Sequence, residues 1–450
     1  VLSRSPASAM VSTPAQPSQS VEDRLRAAEP TFWENPWVTN DTRKALQALE
    51  LSGKDLDAAQ DRWARFAPVI SELWPNQCAS GRIRSALQPL RMAVPGLPKN
   101  VKKLVKRDDA LPVCASVKAR GGFYEVLARA EEVARQSGQT TDSPVALCSA
   151  LLSDEVKQAL SEHEVAVGST GNLGMSVGFA ASALGMRSTV HMSKEAKTWK
   201  KTMLKDHGVD VVEHEGLYGE AVAKGRDAAN SNAFCHFVDD ESSTDLFLGY
   251  SAAGREMKEQ LREKNIPVDS EHPLIVYLPC GVGGAPAGIC WGLKHSFGPN
   301  VYVFFVEPTH APCVCLGLFS DKHDGVTVQD FGLTGETEAD GLAVSRPSGL
   351  ACRMSKHLVS GVVTVADDEL FKHLALLMDS DKIFAEPSCC SAFSAPQRIM
   401  GSSKMRATME NGTHVFWLSG GGLVPVEQRE LLIQRGRSLL AADQATASKL

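Results

Sequence analysis

Four short segments carry the side chains able to do chemistry, and each falls next to the carboxyl end of a predicted strand. The first, Cys114-Ala115-Ser116-Val117-Lys118-Ala119-Arg120-Gly121-Gly122, sets a lysine just ahead of a helix expected from Phe123. A helix N-terminus disfavours positive charge, so this amine is set up as a Schiff-base nucleophile. An isolated loop lysine is more often merely solvated, and only the neighbouring segments change that balance. The second, Gly168-Ser169-Thr170-Gly171-Asn172-Leu173-Gly174, offers two hydroxyls and the free N–H groups of a first helical turn, which suit a carboxylate or phosphate. Read alone, it is equally an ordinary helix cap after a tight turn.

The third segment, Cys280-Gly281-Val282-Gly283-Gly284-Ala285-Pro286-Ala287-Gly288, has glycines whose N–H groups can curl around a phosphate, with a proline where no N–H is needed. Two nucleotide motifs fail here. A dinucleotide fingerprint starting at Gly281 would need glycine at Pro286, and no Lys-Ser or Lys-Thr pair completes a P-loop. A single phosphate on a smaller cofactor fits better. The fourth segment, Ser419-Gly420-Gly421-Gly422, adds a neutral hydroxyl and room for close approach. Together they describe one site with an amine nucleophile, a carboxylate cradle, a phosphate cradle and a hydroxyl.

The elements that must position these segments alternate along the chain. Strands are expected over 101–107, 164–167, 188–192, 209–213, 234–238, 274–279, 301–306, 362–365 and 414–418. Helices are expected over 123–136, 173–184, 198–207, 220–229, 247–263, 287–295, 368–378 and 392–400. Such alternation implies mostly parallel sheets covered by helices, with ligands at the carboxyl ends of the strands. Between residues 21 and 75 the pattern is helical with tryptophans interleaved. There Leu56, Ala59, Trp63, Phe66 and Ile70 recur at helical spacing and read as a core stripe. Residues 1–20, rich in Ser, Ala and Pro with Arg4 their only charge, read as a disordered tail, with a transit peptide as the sharper alternative.

Composition narrows the partners. The 450 residues suffice for two or three domains, and 47 Lys plus Arg against 53 Asp plus Glu leave a net charge of −6 without a basic block. Neither nucleic acid nor an anionic membrane finds an electrostatic footprint there. No apolar run nears the roughly 20 residues that span a bilayer. The 11 cysteines, without a C-x-x-C pair, point to reduced thiols in a cytoplasmic compartment. Cys313 and Cys315 with His310 or His323 match no common zinc spacing.

The set Ser116-Val117-Lys118, Ser169-Thr170-Gly171-Asn172, Gly281-Val282-Gly283-Gly284 and Ser419-Gly420-Gly421-Gly422 resembles the pyridoxal-phosphate enzymes of fold type II, the tryptophan synthase β family. Within it the likeness is greatest to the bacterial-type D-serine dehydratases, or D-serine ammonia-lyases. Further stretches extend it over about residues 21–437: Lys106-Arg107-Asp108-Asp109-Ala110-Leu111-Pro112, Phe237-Val238-Asp239-Asp240-Glu241, Leu246-Phe247-Leu248-Gly249-Tyr250-Ser251 and Glu307-Pro308-Thr309-His310. The resemblance implies an α/β fold of two unequal lobes, each with a mostly parallel sheet flanked by helices. Residues 21–152 plus 241–450 would form the large pyridoxal-phosphate-binding domain and 153–240 the small one.

Carried over by position, the resemblance makes Lys118 the residue of the internal aldimine and Asn172 the partner of the cofactor's 3-hydroxyl. The N–H groups of Gly281, Gly283, Gly284 and Ala285 would hold the phosphate, and Ser419 would meet the pyridine nitrogen. Ser169 and Thr170 would hold the substrate carboxylate, while Asp240, or in second place Asp239, would lie near the substrate hydroxyl. Lys118, Asp240 and Thr170 form the implied catalytic set. Ala285 and Ala115 stand where the family has glycine, and Ser419 where D-serine enzymes usually have threonine. At Ala285 the N–H survives, so a negative φ is all that is required.

The implied reaction is β-elimination of D-serine, with D-threonine a second candidate, through aminoacrylate to pyruvate and ammonia, in a monomer or homodimer. A hydroxyl at the pyridine nitrogen makes the ring a weaker electron sink than an aspartate would, which favours elimination over transamination. Glu307, with a carbonyl near Ala311, would be the site of a monovalent cation such as potassium. Cys313 falls where the second carboxylate is expected, and a plain strand-end acceptor role for Glu307 is the alternative. Rival readings keep the cofactor but act on L-serine, L-threonine or diaminopropionate, or racemise. Another class altogether is a Rossmann-type nucleotide-binding protein without pyridoxal phosphate.

Overall fold

A computed structural model describes residues 19–169, 171–215 and 218–447. Among these residues the strands are β1 (Phe32–Glu34), β2 (Leu87–Pro89), β3 (Lys102–Lys106), β4 (Glu164–Gly168), β5 (Arg187–Ser193), β6 (Asp210–His214), β7 (Cys235–Val238), β8 (Leu274–Pro279), β9 (Val301–Pro308), β10 (Gly361–Val365) and β11 (Thr413–Trp417). The larger sheet runs β1-β10-β9-β8-β11-β3-β2. Its inner strands are all parallel, and short antiparallel strands close both edges. The smaller sheet, β6-β5-β4-β7, is parallel throughout. Every residue of β8, β10 and β11 is buried, as expected when helices cover both faces of a parallel sheet.

The expected strands are all present, within one or two residues at each end. The helices depart further from expectation. The one expected from Phe123 begins at Lys118 and runs Lys118–Gln136. Gly121 and Gly122, which look like breakers, are instead points of close approach. A Cβ at Gly121 would stand 2.4 Å from the Tyr250 ring, and one at Gly122 would stand 2.4 Å from Ser176 Oγ. Three helices, Lys118–Gln136, Asn172–Ala183 and Thr244–Ser251, therefore meet behind Lys118.

The single helix expected over 247–263 is two, Thr244–Ser251 and Ala253–Glu263, separated at Ala252, which itself keeps right-handed helical angles. The stretch 392–400 is a run of short turns, Ser391–Ser394 and Ala395–Ile399, preceded by Pro387–Cys390. Of the tryptophan-rich stripe, helix Gly53–Leu73 buries Leu56, Ala59, Phe66 and Ile70, whereas Trp63 is half-buried, 5.5 Å from the Tyr124 ring. Ser20 caps helix Val21–Arg26, and the rest of the expected tail, 1–18, lies outside the described residues. All eleven cysteines are free thiols. No helix among the described residues is long and apolar enough to cross a membrane.

Candidate active site

Lys118 owes its position to two strand ends. The loop from β3 reaches it through two left-handed residues, Val113 (φ 69°) and Ala115 (φ 45°). It is then stitched to the loop after β11: Val117 N–H donates to the Ser419 carbonyl at 2.8 Å, and Ser116 bridges Gly420. Lys118 Nζ donates to Asp240 Oδ2 at 3.0 Å and lies 5.7 Å from the centre of the Tyr250 ring, within cation–π range.

The geometry also separates the two aspartates. Asp239 pairs with Arg226 at 3.0 Å and accepts from Ser242 Oγ and from Glu241 N–H, both at 3.0 Å. Arg226 holds Glu241 as well, at 3.1 Å. With its two neighbours tied to one guanidinium, Asp240 is the carboxylate that faces the lysine.

The phosphate-type loop joins β8 to helix Gly284–Phe297. Gly283 has φ 109°, a conformation that needs glycine, and a Cβ there would stand 2.9 Å from the Ala351 methyl. No side chain caps this helix at Gly283, so its first-turn N–H groups have no side-chain acceptor there and can bind an anion. Ala285 keeps a negative φ, as its place in the cradle requires. Position Gly284 lies against Asp240, whose Oδ1 is 3.4 Å from where a Cβ would be.

On the other wall, Ser169 is buried and its Oγ accepts from Gly171 N–H at 3.2 Å, while Thr170 lies outside the described residues. Asn172 opens its helix and donates to Glu386 Oε2 at 2.9 Å. Ser419 Oγ stands 3.2 Å from Cys389 Sγ, a thiol that burial, reinforced by Glu386, pushes up to about 12. Gly420 N–H donates to the same sulfur at 3.1 Å.

Lys118, Ser169, Asn172, Asp240, Gly281, Gly283, Gly284, Ala285 and Ser419 all line one cavity, joined there by Lys200, Asp340 and Glu386. These last three were not singled out by the sequence. Their partners lie far along the chain, and no local motif marks them. Glu307 is not part of the cavity lining. Fully buried at the end of β9, it accepts from Val314 N–H at 2.9 Å and Cys315 N–H at 2.7 Å, and burial pushes its carboxyl up to about 8. Cys313 links this turn to the cradle by donating to the Gly281 carbonyl at 3.3 Å.

Comparison with known proteins supplies the rest. The family described as "Pyridoxal-phosphate dependent enzyme" matches residues 88–420. D-serine dehydratases of Salmonella paratyphi A and Salmonella typhi are each 43% identical over 435 residues, 93% of this chain and 97% of theirs. The chain belongs to the D-serine dehydratase family of pyridoxal-phosphate-dependent enzymes. Members of this family share the fold type II architecture. Holo diaminopropionate ammonia lyase of Escherichia coli superposes with a TM-score of 0.68 at 18% identity, over 91% of this chain and 97% of that one. Processed threonine deaminase isoform 2 of Solanum lycopersicum superposes with a TM-score of 0.60 at 18% identity, over 95% and 99%.

The family's cofactor is pyridoxal phosphate, and the cavity fits it on its own chemistry. The glycine cradle would be filled by a Cβ at Gly283, and the helix behind it has N–H groups that no side chain caps. An amine and a neutral hydroxyl stand on stitched loops beside that cradle.

Proposed function

We propose that this chain is a pyridoxal-phosphate-dependent D-serine ammonia-lyase, turning D-serine into pyruvate and ammonia. The observation that carries the reading is 43% identity across nearly the whole length of enzymes named for this reaction. A diaminopropionate substrate is less well supported, since that likeness stands at 18% identity and speaks for the fold alone.

When bound, the cofactor supplies the electron sink that makes the Cα–H bond of an amino acid acidic. The protein supplies the rest. Lys118 would hold the cofactor and, once its amine is free, take the proton from Cα. Asp240, within 3.0 Å of that amine and beside the cradle, would take that proton from the Lys118 ammonium and pass it to the hydroxyl leaving Cβ. Ser169, Thr170 and the N–H groups of their loop would hold the carboxylate. Asn172 would meet the 3-hydroxyl, and Ser419 the ring nitrogen, where a neutral hydroxyl leaves that nitrogen uncharged.

The water lost at Cβ is regained when the enamine product hydrolyses. D-Threonine, one methyl larger at Cβ, is the natural second substrate. For Glu307 we favour the acceptor role over a potassium site, because both its oxygens already receive backbone N–H groups. We read residues 153–240 as the small domain, a monomer or homodimer as the active unit, and the cytoplasm as the compartment that suits eleven free thiols.

Pyruvate release from the two serine enantiomers tests the reading. Purified holoenzyme should act on D-serine well ahead of L-serine, and a preference for L-serine overturns it.

A further inference from the structure

The cavity holds a second lysine–aspartate pair that the proposed reaction leaves unused. Lys200, in helix Thr198–Asp206, reaches Asp340, in the turn Asp340–Leu342, with Nζ 2.7 Å from Oδ2. The two residues come from segments that follow strands of different sheets, one after β5 of the smaller and the other after β9 of the larger. The lysine side chain is 4% exposed, the aspartate 35%. Nζ lies 3.2 Å from where a Cβ at Gly171 would stand.

An ammonium group has three N–H donors and no acceptor. Among the described residues, the one hydrogen bond made by Lys200 Nζ is to Asp340. A charge this deeply buried is expensive unless it is paired and its donors are met. Burial opposes the charge on Lys200, yet Asp340 and Glu386 outweigh it and hold the amine above its ordinary pKa, so it stays an ammonium. Asp340 is in turn held below its ordinary pKa: burial opposes its charge, and Lys200 and Lys197 more than offset it. The pair is thus a fixed positive centre with donors to spare, lying against a loop suited to an anion.

We propose that Lys200 is a specificity-determining residue that pairs with the α-carboxylate of the substrate, held by Asp340 next to Gly171. Taking D-serine as that substrate rests on the activity proposed above. The consequence is selection for amino acids with a free carboxylate over amides and esters. The competing role is purely structural, a tie between segments that follow the two sheets.

Three variants separate the roles. Lys200→Met removes charge and tie, Lys200→Arg keeps the charge, and Asp340→Asn breaks the ion pair while leaving Glu386 to hold the ammonium. The readouts are the Kd for D-alanine, which has no leaving hydroxyl, followed by the change in cofactor absorption, and the KM and kcat for D-serine. Losing a charged hydrogen bond of about 1.5–3 kcal/mol predicts that Lys200→Met raises Kd and KM at least about tenfold, with kcat changed less. Lys200→Arg should recover most of that loss, and Asp340→Asn should keep D-alanine binding well above the Met variant.

Wild-type affinity for D-alanine in a cofactor-loaded Lys200→Met protein overturns the proposal. So does an Asp340→Asn protein as weak as Lys200→Met. Should the Met variant fail to load cofactor, wild-type holoenzyme compared on D-alanine and D-alaninamide still decides, since equal affinities refute a carboxylate-pairing ammonium. If wild-type protein makes no pyruvate from D-serine, the activity reading fails alone, because the binding comparison does not depend on turnover.

Discussion

Lys118 and Arg120 stand two positions apart on one helix and live in opposite settings. Lys118 opens to the cavity with a single carboxylate partner, Asp240, and its side chain is 19% exposed. Arg120 turns inward and is 2% exposed. It grips Asp108 with two bonds of 2.7 and 2.8 Å and Glu256 at 2.7 Å. Lys106 completes the ring by pairing with Glu256 and donating to Ser85 Oγ at 2.6 Å, while Ser85 and Trp417 both donate to Asp108.

The inner four are two positive and two negative charges, each met on several sides. Burial opposes charge on all four; mutual attraction keeps both carboxyls low and the guanidinium high, while on Lys106 burial prevails and holds the amine below its ordinary pKa. The difference separates reactivity from support. A group that must exchange partners keeps one and faces space, whereas a group that must not move is saturated. Trp417 lies two residues before Ser419, and Asp108 lies on the loop that leads to Lys118. The saturated ring therefore braces both loops that the reactive side depends on.

The largest effect should come from breaking the saturated side. Arg120→Met leaves Asp108 and Glu256 with Lys106 as the one cation of the ring, and removing one partner from a buried ionic group costs about 3–5 kcal/mol. A urea titration should show the midpoint fall accordingly. Arg120→Lys should restore little, since an ammonium cannot reproduce the planar fork that spans two carboxylates. A midpoint equal to wild type in Arg120→Met would remove the bracing role and collapse the contrast between the two residues.

On the reactive side the effect should appear in turnover rather than stability. Asp240→Asn keeps size and removes the proton donor. General acid–base groups contribute about 10²–10⁴-fold, so a fall of at least about a hundredfold is expected, equivalent to about 2.7 kcal/mol in the barrier. The urea midpoint should stay near wild type, because Asp240 lines the cavity and has a single side-chain partner to lose. An Asn variant that turns over D-serine at the wild-type rate would pass the proton-donor role to another group.

The same contrast governs what could be read from the chain. Loops such as 280–288 and 419–422 announce themselves, because a strand, a turn of small residues and a helix start are neighbours in sequence. Pairs that close the site across the chain leave no such trace: Asn172 meets Glu386 214 residues away, and Lys200 meets Asp340 140 residues away. The saturated ring was likewise invisible, since its members are single charges on a strand end, a loop and two helices. Strands β1 and β2 are three residues each, too short for a period-two pattern. Gly121 and Gly122 misled in the other direction, because a glycine needed for helix contact looks locally like a glycine that ends a helix.

The smallest expected effect tests how the two sides are joined. Ala115 sits in the loop stitched to Ser419 and Gly420, with φ 45°, a region that costs a residue with a Cβ about 1–2 kcal/mol. Ala115→Gly relieves that strain but frees the unfolded chain, a loss of about 0.4–1 kcal/mol. It also deletes a methyl that lies 2.7 Å from where a Cβ at Gly422 would be. Before the lost methyl contact is counted, the balance is a gain of about 0–1.6 kcal/mol in stability, read as a small rise in the urea midpoint, with turnover unchanged, because the Ala115 N–H bond to the Leu111 carbonyl at 3.0 Å survives. A clear loss of stability would mean that the methyl contact across the two loops, and not the backbone stitching, holds Lys118 and Ser419 in register.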